Sequence, residues 1–330
     1  MTSTFLVIGS NSFSGASFVD HLLARGQDVV GVSRSEEVAL PFRPYAWKKQ
    51  PGRFRFQRID LNTDLDALDA LLAETKPSVI ANFAAQSMVA ESWQNPDHWM
   101  MTNVVSAVRL HERLRHLDYL DRYVHVTTPE VYGSTGGWVR EDHAFNPSTP
   151  YAVSRAAGDM SLASYFKAYG FPVVSTRAAN VYGPGQQLYR IIPRTILFAL
   201  TGQKLQLHGG GHSARSFIHI DDVSEATRMI AERGEPGATY HISTNEQITI
   251  RDLVALVLTR LGMKFEDCVE IVGERLGKDQ SYMLDSSKLR GELGWSDRIG
   301  IEEGVEQTIG WVKAHLEALK ASPQHYQHKP

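Results

Sequence analysis

Six short β-rich runs, most of them apolar almost throughout, are spaced along the first 180 residues at 4–9, 28–33, 54–60, 78–84, 122–128 and 172–178. Helical patterns near 14–25, 64–75, 97–116 and 149–170 separate them. A strand that is apolar on both faces must be covered on both faces, which is the condition of a parallel strand inside an α/β sheet. Strict strand–helix alternation with right-handed crossovers then predicts a doubly wound, Rossmann-type parallel sheet. Only 35–53, with three prolines and mixed charge, breaks the rhythm and reads as a long loop beside the second strand.

Beyond residue 180 the pattern loosens. The run 190–202 is helix-like, 238–243 reads as a strand, 249–262 reads as an amphipathic helix and 301–320 as a last helix. The expected organisation is α/β, with a dinucleotide-binding domain of 1–178 plus about 216–243. A smaller α/β substrate-binding cap takes 179–215 plus about 244–321. The stretch "SPQHYQHKP", 322–330, reads as a polar, disordered tail.

Composition narrows the function. A net charge of −3 argues against a nucleic-acid partner. The single cysteine, Cys268, permits no internal disulfide and no thiolate metal site, and reads as a packing thiol. No apolar run reaches membrane-spanning length, and the apolar start lacks preceding basic residues, so the expected location is the cytoplasm. His98, His208, His212 and His219 show no metal-ligand spacing with carboxylates, so no metal is expected.

The first strand runs into "GSNSFSG" and then a helix. Gly9 and Gly15 leave room for a pyrophosphate and for close helix–strand packing, and the helix N-terminus favours an anion. Ser12 stands where a dinucleotide fingerprint has its middle glycine. At the end of the second strand come Ser33, Arg34 and Ser35 rather than the carboxylate that holds NAD ribose hydroxyls. A guanidinium and hydroxyls suit a 2′-phosphate, so NADP is expected over NAD. Asp60, ending the third strand, can reach the adenine. The small residues of "NFAAQS" (82–87) fit where the fourth strand passes beneath the cofactor.

Seven segments in order, "GSNSFSG", "NFAAQS", "TTPEVYG", "PYAVSR", "NVYGPGQ", "RSFIHIDDV" and "LDSSKLRGELGW", resemble the extended short-chain dehydrogenase/reductases. Within them the chain is similar to the sugar-nucleotide 4,6-dehydratases of the dTDP-glucose and GDP-mannose types, over about 4–318. The resemblance implies a tightly bound, recycled nicotinamide cofactor, a nucleotide-sugar substrate and a homodimer. It places Asn11, Phe13, Leu61, Phe83, Ala84, Ala85 and Asn103 around the cofactor, together with Tyr151 and Arg155. Removing a hydride from a sugar carbon requires removing its hydroxyl proton too, and a tyrosine with a pKa near ~10 needs a cation to serve as that base. Tyr151 matches the family tyrosine, and Arg155 occupies the lysine position one helical turn on. Thr128 matches the residue that hydrogen-bonds the sugar O4. Glu130 matches the glutamate that takes the C5 proton before water leaves C6.

Two residues depart from the pattern. Pro129 replaces the aspartate that protonates the leaving hydroxyl in the dTDP-glucose type. The GDP-mannose type also lacks that acid, and there the glutamate acts as both base and acid. Arg155 keeps the positive charge of lysine but is bulkier, planar and never deprotonated. For the substrate, the resemblance points to Asn180, Arg215 and Arg275 at the diphosphate and nucleotide. Ser87, Arg190 and Ile192, with Arg194, are offered to the sugar and base region. The leading expectation is a sugar-nucleotide 4,6-dehydratase. The rivals are an epimerase or 4-reductase of nucleotide sugars, and a catalytically silent NAD(P)-binding protein.

Overall fold

The structure is a computed structural model and describes residues 5–273 and 283–329. Its centre is a seven-stranded, all-parallel sheet: β1 (Phe5–Ile8), β2 (Val29–Ser33), β3 (Phe54–Arg58), β4 (Val79–Asn82), β5 (Arg122–Thr127), β6 (Val173–Ala178) and β7 (Thr239–Ile242). The spatial order is β7-β6-β5-β4-β1-β2-β3, so the chain reverses direction between β1 and β4. Ligands of doubly wound sheets bind at the carboxyl ends of the strands beside such a reversal. Here that point is fixed by the in-register pairs Ile8↔Val32 and Ile8↔Asn82.

The alternation of side chains along β1 explains why every residue in it is apolar. Phe5 and Val7 point into one core with helix α1 (Phe13–Leu23) and, from further along the chain, the helix Ile220–Arg233. Leu6 and Ile8 point into the other, beneath α2 (Leu65–Thr75), α3 (Ala107–Leu114) and α4 (Pro150–Tyr169). Helix α3 continues a helical run that begins at Pro96 and passes through a π-helical stretch, Met101–Ser106. Helix α5 (Ile191–Leu200), the helix Ile250–Arg260 and the helix Ile301–Ala314 form a third core over Tyr182.

The 35–53 segment is not featureless. It makes two short 3₁₀ turns, each with a proline in its opening positions, and sends Tyr45 against Phe54 and the core around α1. Cys268 is half-buried, its thiol 3.9 Å from the Met263 sulfur. Ile192, expected at the substrate, is 1% exposed inside the third core, because the inner face of α5 turns it toward Tyr182 and Leu188. The tail expected to be disordered instead lies against the protein from 322 to 329, because it carries two aromatic side chains for which the surface offers partners, Tyr189 and Trp99. No described helix is long and apolar enough to cross a membrane.

Candidate active site

The β1–α1 turn is built by close approach. Gly9 has φ 82°, and a Cβ there would sit 2.6 Å from the Ala84 backbone nitrogen; a Cβ on Gly15 would strike the Gly9 carbonyl. Ser12, the unexpected residue of the fingerprint, caps α1: its hydroxyl accepts from the Gly15 amide (3.0 Å) and donates to the Gly9 carbonyl (2.7 Å). A serine N-cap satisfies one of the amides a helix start leaves without a partner. Asn11 ties this turn to the end of β2. Its amide nitrogen donates to the Ser33 hydroxyl (3.0 Å), and its side chain donates to the carbonyls of Ser35 and Glu36 (2.9 Å each).

A cavity of about 510 Å³ opens above this turn, within the roughly 300–1,000 Å³ of small-molecule and cofactor sites. The structure brings Gly9, Asn11, Ser12 and Phe13 together there with Ser33, Arg34 and Ser35 from β2. Asp60 and Leu61 join them from the end of β3, and Phe83, Ala84, Ala85 and Ser87 from the end of β4. Beside it, Arg34, Ser35 and Asp60 meet Glu36 and Arg58, whose guanidinium and carboxylate are 3.1 Å apart. Of the remaining residues expected at the cofactor, Gly15 supports the turn, and Asn103 lies behind the wall. Asn103, in the π-helical stretch, accepts from the Gln86 amide (2.8 Å). It also donates to the Gln86 carbonyl (3.0 Å) and to the Ser154 hydroxyl (2.9 Å). It thereby joins the β4 loop to α4 three residues from Tyr151.

Thr128, Glu130, Tyr151 and Arg155 gather at the carboxyl end of β5, next to β4. Thr128 caps the short 3₁₀ turn Pro129–Tyr132, its hydroxyl accepting from the Glu130 amide at 3.2 Å. Pro129 occupies the first position of that turn, where the missing N–H costs nothing and the fixed φ is already helical. The proline thus fixes the bend that carries Glu130. Tyr151 and Arg155 lie one turn apart on the inner face of α4, 8% and 4% exposed. Arg155 donates to the Val126 carbonyl of β5.

Burial raises the Tyr151 phenol above its ordinary value. The Arg155 charge opposes that rise, as do a hydrogen bond with Thr128 and the Arg190 charge, while the Glu130 carboxylate adds to it. The charges of Glu130, Arg155 and Arg190 thus all bear on the Tyr151 phenol. Arg190, at the entry to α5, stacks over the Tyr189 ring at 5.5 Å. Asn180 lies on a short strand, Asn180–Tyr182, and donates to the Ser216 carbonyl at 3.1 Å. Arg215 is half-buried on the two-residue strand Ala214–Arg215 and donates to the Ala214 carbonyl. Arg275 lies outside the described residues.

Behind the cluster is a buried polar network that motif reading missed. His125 of β5 and Arg177 of β6 both bind Asp159 of α4, at 3.1 and 2.8 Å. Burial alone would push the Asp159 carboxyl up, but the His125 hydrogen bond and the Arg177 charge hold it below its ordinary value. Arg177 also donates to the Tyr132 hydroxyl, which meets His241 at 2.8 Å. Tyr132 ends the Pro129–Tyr132 turn, so the network braces the turn from below. One signal was available: Tyr151, Arg155 and Asp159 follow at four-residue spacing, a single face of one helix.

A parallel sheet reversing between β1 and β4, a serine-capped glycine turn at that reversal, and a Tyr–Arg helix beside a Thr/Glu turn define a short-chain dehydrogenase/reductase scaffold. The GDP-mannose 4,6 dehydratase family model matches residues 6–308, and the chain belongs to that family. It is 34% identical to a dTDP-glucose 4,6-dehydratase of Streptomyces antibioticus, covering 96% of each chain. It is also 34% identical to a trifunctional UDP-glucose 4,6-dehydratase/UDP-4-keto-6-deoxy-D-glucose 3,5-epimerase/UDP-4-keto-L-rhamnose-reductase of Arabidopsis thaliana. That match covers 82% of this chain but only 40% of the plant enzyme. The crystal structure of dTDP-glucose 4,6-dehydratase from Bacillus anthracis in complex with NAD superposes with a TM-score of 0.86 at 29% identity, covering 97% of this chain and 99% of the other.

Proposed function

We propose that this chain is a sugar-nucleotide 4,6-dehydratase that recycles a bound nicotinamide dinucleotide. The observation that carries the reading is the gathering of Thr128 and Glu130, on one short turn at the carboxyl end of β5, with Tyr151 and Arg155, buried one turn apart on α4. The residues present fit the cofactor: the glycine turn leaves a cradle that a Cβ would fill, and the cavity has the size of a cofactor site. Gly9, Asn11, Ser12 and Phe13 would hold its pyrophosphate and Asp60 its adenosine end. When bound there, a nicotinamide would supply hydride chemistry, acceptance from sugar C4 and return to C6.

The chain's own residues move the protons. Tyr151 takes the O4 proton as C4 becomes a ketone, with Thr128 donating to the same oxygen. The ketone acidifies C5–H, and Glu130 removes that proton. Pro129 has no proton to give, so Glu130 hands the one it has taken to the departing C6 hydroxyl, and one water leaves. As C6 receives the hydride, C5 regains a proton, and the O4 proton taken by Tyr151 balances it. Tyr151 and Glu130 thus end in their starting states, and the product is a 4-keto-6-deoxy sugar nucleotide. Arg155 remains buried beside Tyr151, which supports an active enzyme over a silent binding protein. Asn180, Arg190, Arg215 and Arg275 are proposed to hold the nucleotide diphosphate end.

NADP is the proposed form of the cofactor on the strength of Arg34 and Ser35, with Arg58 alongside. Glu36 and Arg58 pair with each other there, so the charge offered to a 2′-phosphate comes chiefly from Arg34, with Lys329 beside it. NAD in the B. anthracis enzyme favours the other form. The proposed assembly is a homodimer: Met101 and Val105 on the 96–114 helical run and Val153 and Met160 on α4 are exposed apolar side chains on helices that pack together. The two-part domain division drawn from the sequence belongs to the same proposal.

The test is incubation with dTDP-, UDP-, GDP- and CDP-hexoses, followed by mass spectrometry. Loss of one water without added cofactor is expected. Unchanged mass with inverted stereochemistry would mean an epimerase, and no product from any sugar would favour the silent protein.

A further inference from the structure

Residues 322–329 run along the cavity as irregular chain with a bend at His325, half-buried and exposed side chains alternating along it. The half-buried side chains clasp the protein. His328 stacks on Trp99 and on His98, with ring centroids 5.1 Å away in both cases, and its Nε2 lies 2.7 Å from the His98 Nδ1. Tyr326 packs edge-on against Tyr189 at 5.9 Å. Beyond them the Lys329 carbonyl accepts from the buried Gln86 side chain (2.6 Å) and from the Arg34 guanidinium (3.1 Å). One acceptor therefore joins the β4 loop to the end of β2, across the whole width of the cavity.

The segment does not fill that cavity. About 510 Å³ remains with the segment in place, and Pro323, His325, Gln327 and Lys329 form a wall of it. A plug would occupy the space; a wall encloses whatever the space holds. Lys329 also borders the side cavity with Arg34, Ser35 and Arg58, adding a cation where the adenosine end is placed.

We propose that residues 322–329 are a strap that closes over the bound cofactor and slows its release. This rests on the reading of the cavity as the cofactor cleft. It also suits a reaction that returns its hydride in every turnover, because such a cofactor has no need to leave.

The test compares the full chain with a chain ending at Ala321 and with a Tyr326→Ala/His328→Ala double variant. The double variant keeps the test open should truncation disturb folding. Each protein is loaded with the reduced dinucleotide, and its release is followed by fluorescence after mixing with excess oxidised form. Release from both altered chains should be about tenfold faster or more, the worth of one or two hydrogen bonds plus a stacked ring. Equal release rates from proteins that all bind the cofactor would overturn the strap and leave the cofactor reading standing. Slower release or tighter binding in the truncated chain would make the segment a competitor and equally overturn it. Failure of the full chain and both variants to bind NAD(H) or NADP(H) would overturn both readings together.

Discussion

Replacing Arg155 by methionine removes a buried cation from beside Tyr151 while keeping much of the side-chain volume. Residues four apart on a helix have Cβ atoms ~5–6 Å apart. Taking the phenolate and guanidinium as roughly 7 Å apart at an effective dielectric of ~20 gives about 2.4 kcal/mol of attraction. Both residues are under 10% exposed, so salt screens this little. The sign follows directly. Burial already raises the phenol and Arg155 opposes that rise, so without the arginine the phenol is raised further. At any pH below its titration the phenolate population then falls by roughly fiftyfold, at ~1.4 kcal/mol per factor of ten.

The readout is single-turnover reduction of the bound cofactor at 340 nm between about pH 6 and 9, for a nucleotide sugar that the native protein accepts. The native rate should rise with pH as phenolate forms. In Arg155→Met it should be roughly fiftyfold lower at neutral pH, with its rise displaced to more alkaline pH. Arg155→Lys, which keeps the charge, should restore the position of the profile. A methionine variant that folds and reacts within about twofold of native, with its pH profile unmoved, would refute the role given to the Tyr151–Arg155 pair.

Glu130→Gln should still reduce the bound cofactor on mixing with substrate yet release no dehydrated product by mass spectrometry; normal dehydration would remove Glu130 from the mechanism. Gly15→Ala puts a methyl group against the Gly9 carbonyl and Ser12. It should weaken dinucleotide binding at least about tenfold by calorimetry, as backbone approach to the pyrophosphate is lost. Arg177→Met leaves Asp159 as a buried carboxylate without its cation and should cost about 3–5 kcal/mol in urea unfolding, partly recovered by adding Asp159→Asn. Arg34→Ala should weaken NADP about tenfold or more while changing NAD much less, and an unchanged preference would count against the 2′-phosphate reading.

The strands of the sheet were legible because their composition has only one physical solution. A run such as "FLVI" at 5–8 buries both of its faces only inside a covered parallel sheet. Thr128, Glu130, Tyr151 and Arg155 were legible because they lie in two short segments, and local geometry brings each pair together: a 3₁₀ turn for one, a single helical turn for the other. Ile192 was misread because sequence shows that a helix has an apolar face but not whether that face meets a ligand or the core. Pro129 looked like the loss of an acid, and only the turn showed it as the residue that starts the bend carrying Glu130.

What the sequence determined by itself was therefore local: strand composition, the glycine turn, and residue pairs within one turn of helix. Tertiary structure alone decided which distant groups meet. His125, Asp159 and Arg177 come from β5, α4 and β6, and no spacing rule relates them; they pair because adjacent parallel strands and the helix above converge at one point. The 322–329 segment is the sharper case. Its polar composition lacks the apolar content to predict order, and it is held by Trp99, Tyr189, Gln86 and Arg34, partners more than a hundred residues away in the chain.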